Sequence, residues 1–186
     1  MKKLLILFLL TGVFSVSHAQ VDLENSSVKW TGTQISGKSH YGSLSFKSAD
    51  ISFNGNELVG GSFVVDMNSL SVDDLSGKGK KSLEGHLMSN DFFSVEMFNT
   101  SELKIEKVTK TGNNKYNATA NLTIKGATHS AQVSFDLNDE SNTMTAKLVF
   151  DRSKYDVRYG SGSFFENLGD KLILDDIELE VTLVMM

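Results

Sequence analysis

The sequence predicts an all-β protein, an antiparallel barrel of about eight strands with one short helical excursion. Apolar and polar residues alternate along most of the chain, without long runs at helical spacing, and 15 glycines with no proline suit tight turns. A two-sheet sandwich fits the same pattern. We favour the barrel because closure removes edge strands, which matters for a chain without proline or disulfides.

The clearest element is a hairpin from Lys115 to Leu137, in which two alternating runs flank a glycine turn. Apolar residues occupy even positions before the turn and odd positions after it, so a shared apolar face requires an even-numbered loop. Gly126 and Ala127 fit a two-residue type II′ turn with glycine first. The resulting register opposes Leu122 to Ala131, Ala120 to Val133, Ala118 to Phe135, and Tyr116 to Leu137.

The N-terminus has the pattern of a cleaved secretory signal. Lys2 and Lys3 precede an apolar run, and Ser17-His18-Ala19 supplies small residues before a cleavage site. The run is shorter than the roughly 20 apolar residues that span a bilayer. We expect residues 1–19 to be a signal peptide and residues 20–186 one barrel domain, periplasmic or secreted. The chain has no cysteine for a lipid anchor.

Charge and cysteine content restrict the partners. Loss of Lys2 and Lys3 with the signal lowers the formal charge from −5 to −7. This disfavours a nucleic-acid partner, because binding to phosphates requires a basic face. Without disulfides, the exported domain depends on its core alone.

Before the hairpin, alternation predicts strands at Val28–Gly32 and Ser43–Phe46, then a second hairpin formed by Ile51–Phe53 and Leu58–Met67. Alternation is then lost. Leu83 and Leu87 have helical spacing, and a dense apolar cluster follows them, which indicates a short helical excursion capping one end of the sheet. The cluster consists of Phe92, Phe93, Val95, Met97 and Phe98.

After the helical excursion, alternation resumes at Leu103–Glu106 and returns at Met144–Phe150 and Ile177–Leu183. Between the last two strands lies a long irregular link, Asp151–Gly169, rich in Gly, Ser, Tyr and Arg. A link of this length inside one domain is usually functional or packed under another element.

Catalytic and metal-binding patterns are missing from the sequence. His40, His86 and His129 lie 46 and 43 residues apart, a spacing that gives no support for a metal site. The adjacent acids Asp73 and Asp74, like Asp175 and Asp176, point to opposite faces of a strand and are expected to be solvated. We therefore expect no enzymatic activity, no cofactor and no metal.

Polar residues near loop ends are candidates for binding the head of an amphiphile. They are Lys38, His40, His86, Arg152 and Arg158, the last two accompanied by Tyr155 and Tyr159. Arginine suits phosphate or carboxylate because its planar fork donates two hydrogen bonds at once. From the residues alone, an ion pair of Arg152 with Asp151 or Asp156 is the better interpretation.

Two long segments, LEGHLMSNDFFSVEMF at Leu83–Phe98 and NLTIKGATHSAQVSFDL at Asn121–Leu137, resemble the YceI-like polyisoprenoid-binding family. Similar short pieces are Trp30-Thr31-Gly32, His40-Tyr41-Gly42, GGSFVVDMNSL from Gly60 and the DRSKYDVRYGSGS link. The family usually has Tyr-Pro where this chain has Phe98-Asn99, which should alter the exit from the helical excursion. The resemblance implies a lipocalin-like barrel with an apolar pore for a polyisoprenoid or other long-chain lipid.

Periodicity alone leaves open whether the interior is a cavity or a filled core, because inward alanines leave room that large side chains can fill. The resemblance favours a cavity, and a non-catalytic carrier or scavenger function. The alternative is a protein-interaction module with a filled barrel, and homodimerisation also stays open. The pore candidates, chosen by parity, are Trp30, Leu44, Phe46, Phe63, Val65, Tyr116, Ala118, Ala120, Phe135, Leu148 and Phe150.

Overall fold

The structure is a computed structural model, and it describes residues 16–186. The chain forms nine strands and one α-helix in this range. The strands are β1 (Val16–Ala19), β2 (Val21–Gln34), β3 (Ser39–Asn54), β4 (Glu57–Val72), β5 (Thr100–Gly112), β6 (Lys115–Ile124), β7 (Ala127–Asn138), β8 (Thr143–Asp151) and β9 (Ile173–Met185). The helix α1 spans Gly77–Met88, and short 3-10 helices lie at Arg152–Tyr155 and Gly169–Lys171.

Eight of these strands close into an antiparallel barrel. The order is β3-β2-β9-β8-β7-β6-β5-β4, and pairing of β3 with β4 completes the circle. The predicted barrel is therefore confirmed, and a two-sheet sandwich is excluded. Strand β1 continues β2 along the same edge of β3, with Val16 opposite Asn54. Most of the predicted signal peptide lies outside the described residues.

The hairpin predicted from Lys115 to Leu137 forms, but with a register different from the predicted one. Strands β6 and β7 pair Tyr116 with Phe135 and Ile124 with Ala127, so the two turn residues are Lys125 and Gly126. Both have positive φ, 49° and 74°, as a type I′ turn requires. The prediction of a turn with glycine first assumed that Lys125 stays outside the left-handed region. Lys125 instead adopts that conformation, so the prediction was wrong. The apolar face is unchanged, since the slip moves the pairing by two positions.

Strand β3 joins two segments that were predicted as separate strands. It runs continuously from Ser39 to Asn54. Its pairing with β4 accommodates the break in alternation through register shifts between Ser43 and Ser45 and between Phe46 and Ser48. His40 and Tyr41 consequently lie on a strand and not in a loop. Only the residues around Gly37 form the tight connection from β2.

The antiparallel connections define two ends of the barrel. The helix end carries the β2–β3 turn, α1, the β6–β7 turn and the link between β8 and β9. The turn end carries the β3–β4, β5–β6 and β7–β8 connections. Helix α1 begins at Gly77 and ends at Met88, which confirms the predicted helical excursion and its place over one end of the barrel.

Strands β7 and β8 are joined by backbone hydrogen bonds over only part of their length. Their ladder extends only from Ser134 opposite Lys147 to Asn138 opposite Thr143, at the turn end. Towards the helix end the gap is covered by Tyr155 from the link. Its ring packs edge-on against His129 at 5.1 Å and Phe150 at 5.6 Å between ring centroids.

Candidate functional site

An apolar cavity of about 340 Å³ lies inside the barrel, a volume within the usual range for small-molecule sites. Eight of the eleven pore candidates line it: Trp30, Leu44, Phe46, Phe63, Val65, Phe135, Leu148 and Phe150. The other three, Tyr116, Ala118 and Ala120, are buried in β6 outside the cavity wall. Strand β6 contributes Leu122 and Ile124 instead, the positions nearest the helix end.

The helical excursion supplies the roof of the cavity. Leu83 and Leu87 of α1 and Phe92 and Phe93 of the following turn all line it. Their spacing was visible in the sequence as an apolar helix face followed by an aromatic pair, but we interpreted them only as a cap. The N–H of Phe93 donates to the carbonyl of Leu87, which folds the aromatic pair back under the helix.

The indole ring of Trp30 is held in place where strands β2, β3 and β4 lie close together. The indole Nε1 of Trp30 donates to the carbonyl of Ser71 at 3.1 Å. Gly42 lies opposite Trp30 on β3, and a Cβ there would meet the Ser71 carbonyl oxygen at 1.8 Å. Only glycine therefore fits at position 42, and the tryptophan ring stays against the cavity.

Most of the polar side chains that line the cavity belong to its helix end. They are Gln34 at the end of β2, His40 at the start of β3, His86 on α1, Ser101 at the start of β5, and Tyr159 in the link. The wall farther from the helix is formed by residues such as Phe46, Ala146 and Leu183. The cavity is therefore amphipathic along the barrel axis.

His40 is one of the head-group candidates that the structure places at the cavity. Its Nδ1 lies 2.7 Å from Oδ2 of Asp74, and the other Asp74 oxygen accepts the N–H of Tyr41 at 3.1 Å. Burial raises the pKa of Asp74, but the hydrogen bonds from His40 and Tyr41 outweigh it, so the pKa lies below its ordinary value of 3.8. The expectation that Asp74 is merely solvated was wrong.

His86 is the second head-group candidate at the cavity. Its ring packs against Tyr159 with centroids 4.3 Å apart and against Phe92 at 5.8 Å. The Nε2 atom of His86 is buried without a hydrogen-bond partner among the described residues. Such a group is unusual in folded proteins, since most buried nitrogens are hydrogen-bonded.

The three basic candidates lie outside the cavity wall. Lys38 is exposed in the β2–β3 turn, and Arg158 pairs with Asp156 and lies over the ring of Phe164. These positions follow from local sequence, because both residues belong to polar segments that connect strands.

Arg152 is fully buried and holds the link together. Its guanidinium donates to four backbone carbonyls, those of Val157, Tyr159, Ile173 and Leu174, at 2.9–3.2 Å. Asp175 Oδ1 lies 3.3 Å from Nη2, near enough for an ion pair although the hydrogen-bond geometry is poor. Arg152 thus has a structural role, with Asp175 as its acidic partner in place of the expected Asp151 or Asp156.

Residues 16–186 contain neither a cluster suited to a metal ion nor a helix suited to span a membrane. No group of three or more His, Asp or Glu side chains in this range is arranged to hold a metal ion. None of the helices formed by these residues is long and apolar enough to cross a membrane.

Solved structures of low sequence identity share this fold. Burkholderia cenocepacia BcnA is 23% identical with a TM-score of 0.67, and the match covers 88% of this chain and 98% of BcnA. A Campylobacter jejuni YceI protein is 18% identical with a TM-score of 0.55, over 100% of this chain and 99% of the other. A search of curated protein sequences gave no significant match.

The family assignment rests on a separate comparison. The model of the YceI-like domain matches residues 20–185, which is nearly the whole described chain. Its boundaries agree with the barrel from β2 to β9, and the resemblance noted in the two long motifs is confirmed. With its closed barrel, helical roof and apolar cavity, the chain belongs to the YceI-like family.

Proposed function

We propose that this protein binds a polyisoprenoid or another long-chain amphiphile in the barrel cavity, as a non-catalytic carrier or scavenger in the periplasm. YceI-like proteins are a family of binding proteins, and the barrel fold is consistent with a hydrophobic ligand. The observation that carries the proposal is the cavity itself, which is walled by aromatic and aliphatic side chains from strands and helix alike.

The binding energy would come mainly from burying the ligand's chain. Each methylene transferred from water to an apolar wall contributes about 0.8 kcal/mol. The amphipathic wall also sets the direction of the ligand. The ligand's polar end lies among Gln34, His40 and Ser101 at the helix end of the barrel, and the ligand's apolar chain extends towards Phe46 and Leu183.

A cavity-filling variant tests this proposal. Ala146 is buried on β8 and lines the cavity, so Ala146→Leu directs three additional carbon atoms into the space for the ligand. We expect the variant to fold and to lose most of its lipid uptake. Val149→Phe is the matched control, because Val149 lies on the same strand and is 54% exposed.

The measurement is native mass spectrometry of the purified protein, followed by denaturing extraction and identification of co-purified lipid. A discrete long-chain mass that is lost in Ala146→Leu and kept in Val149→Phe supports carriage. A clean unliganded mass, with no uptake of added long-chain lipid, would instead favour the protein-interaction module.

The proposed location has its own test. Expression of the full chain, followed by fractionation and mass determination of the N-terminus, should give a periplasmic product beginning at Gln20. Replacing Ala19 with a bulky charged residue, as in Ala19→Arg, should block cleavage and retain the precursor. Recovery of the intact chain in the cytoplasm would contradict both the location and the carrier role there.

A further inference from the structure

The imidazole of His40 has a free nitrogen at the polar end of the cavity. His40 lines the cavity and its Nδ1 contacts Asp74, whereas its Nε2 forms no hydrogen bond with any of residues 16–186. The unpartnered Nε2 is not buried, so it stays accessible. The residue paired with His40 on β2 is Gly32, which also lines the cavity and places no side chain over the ring. A ligand's polar end can therefore approach this nitrogen.

The second imidazole at this end of the cavity, that of His86, is placed differently. Its Nε2 is buried without a partner in the described chain, and its ring lies against the rings of Tyr159 and Phe92. Reaching that nitrogen requires the aromatic rings to move. Of the two imidazoles, His40 is therefore the one that a ligand can contact without rearrangement.

Asp74 determines which nitrogen of His40 carries the proton. Burial raises the pKa of the Asp74 carboxyl, but the hydrogen bonds from His40 and Tyr41 bring it below the ordinary value, so the group is ionised at neutral pH. An ionised carboxylate only accepts hydrogen bonds, so the proton in the 2.7 Å contact belongs to Nδ1 of His40. A neutral imidazole carries one proton, and its Nε2 is then an acceptor.

We propose that Nε2 of His40 anchors the ligand by accepting a hydrogen bond, so that the cavity favours a long-chain ligand whose polar end carries an O–H or N–H donor. Asp74 is the positioning residue that gives Nε2 this role. The inference rests on the proposed function and adds the chemistry of the polar end. The neighbouring side chains of Gln34 and Ser101 can both donate and accept, so they bind such an end without imposing a direction.

Asp74→Asn should reverse the proton arrangement and keep both hydrogen bonds. One Asp74 oxygen accepts the N–H of Tyr41 at 3.1 Å, and the other faces Nδ1 of His40. Asparagine should keep its oxygen towards Tyr41, because its NH₂ group would otherwise meet a second donor there. The NH₂ group then donates to Nδ1, the ring proton moves to Nε2, and Nε2 becomes a donor.

Asp73→Asn is the matched control for this substitution. It removes the same negative charge one residue earlier, where the carboxylate contacts Ser71 and Lys80 instead of His40. An effect of charge alone should therefore occur in both variants, whereas an effect of the imidazole proton should occur only in Asp74→Asn.

Two probes that differ in their donor test the inference. Geranylgeraniol donates and accepts, whereas its methyl ether only accepts. Each is titrated into the delipidated protein at pH 8.5, about two units above the ordinary histidine pKa, so that a neutral imidazole is tested. The sequence contains one tryptophan, Trp30, and it lines the cavity, so its fluorescence reports occupancy. We expect the alcohol to bind about five- to tenfold more tightly in the unmodified protein and in Asp73→Asn, with a ratio near one in Asp74→Asn.

The outcomes separate this inference from the proposed function. Equal affinities in the unmodified protein overturn the inference and leave lipid binding intact. A preference for the alcohol that persists in Asp74→Asn also overturns it, because the extra methyl group of the ether is the same in every variant. If neither probe changes Trp30 fluorescence nor adds mass in native spectra, lipid binding itself is contradicted and the inference with it.

Nitrogen-15 NMR of the imidazoles locates the proton without any ligand. The signals of His40 are those missing from His40→Gln. They should show the proton on Nδ1 in the unmodified protein and on Nε2 in Asp74→Asn, a change that a merely structural role of Asp74 would not produce. A proton on Nε2 in the unmodified protein at pH 8.5 would overturn the inference. Thermal unfolding verifies that each variant is folded.

Discussion

The His40 imidazole and the Asp74 carboxylate meet at the edge of the cavity, where they are only 20% and 15% exposed. Their contact joins the start of β3 to the segment that leads into α1. The barrel rim and its roof are thereby connected by a polar pair. Both residues were visible in the sequence, 34 positions apart, without any indication that they meet.

Asp74→Asn should weaken the acid dependence of stability. Because the pKa of Asp74 is lowered in the folded protein, its contribution is present above the unfolded pKa near 3.8 and is lost as the pH falls through the folded value. The variant should therefore show a shallower loss of stability between about pH 4 and pH 2. Urea unfolding at several pH values measures this, with the exposed Asp176→Asn as control. An unchanged acid limb in Asp74→Asn would contradict the assignment.

Arg152→Met should destabilise the protein by about 3–5 kcal/mol. The substitution leaves Asp175 without its cation and removes the donors to four carbonyls of the link. Urea unfolding at pH 7 provides the measurement. Arg158→Met is the matched control, since Arg158 is 60% exposed and its ion pair should contribute less than about 1 kcal/mol. Equal stabilities for the two variants would show that the link does not depend on Arg152.

Gly126→Ala should cost about 1–2 kcal/mol because position 126 is in the left-handed region. A Cβ there would also lie 3.2 Å from Cε1 of Phe98, which packs over the turn. Gly79→Ala, inside α1 with open space around its Cβ, should instead stabilise by up to about 1 kcal/mol. Thermal unfolding of both variants tests the contrast, and a loss of stability in Gly79→Ala equal to that in Gly126→Ala would refute it.

His86→Phe should stabilise the unliganded protein by about 1 kcal/mol, because it replaces a buried nitrogen that has no partner in the described structure. The phenyl ring can keep the edge contacts to Tyr159 and Phe92. His129→Phe, at an exposed position, should leave stability nearly unchanged. Lipid affinity is measured on the same variant: a lower affinity in a more stable protein would identify His86 as a contact of the ligand's polar end.

The barrel was predictable because alternation places each side chain on a face, whatever the exact pairing. Tyr116 and Phe135 face inward under both the predicted and the observed register. The register itself depended on Lys125 adopting a positive φ, which intrinsic preference opposes and the twist of the strands favours. Local sequence therefore determined the face but not the turn.

The extent of the cavity was less predictable, because parity carries no information on depth along the barrel. Ala120 and Leu148 share the inward face, yet only Leu148 lines the cavity. Likewise, the partners of Arg152 come from both sides of the link, and four are backbone carbonyls, which no residue pattern marks. The sequence suggested for Arg152 a contact with a ligand's head group or a local ion pair, whereas the structure buries it among the carbonyls of the link.

The short ladder between β7 and β8 has a kinetic consequence. Along most of the barrel, two strands separate only if several backbone hydrogen bonds break together. Near Tyr155 the wall is held by ring contacts and by the link that Arg152 secures, so opening that segment breaks fewer backbone hydrogen bonds than separating the strands elsewhere. Exchange of a bound lipid through the wall between β7 and β8 would depend on the free energy of opening that segment. A substitution at Tyr155 should then change the residence time of a bound lipid more than it changes the melting temperature.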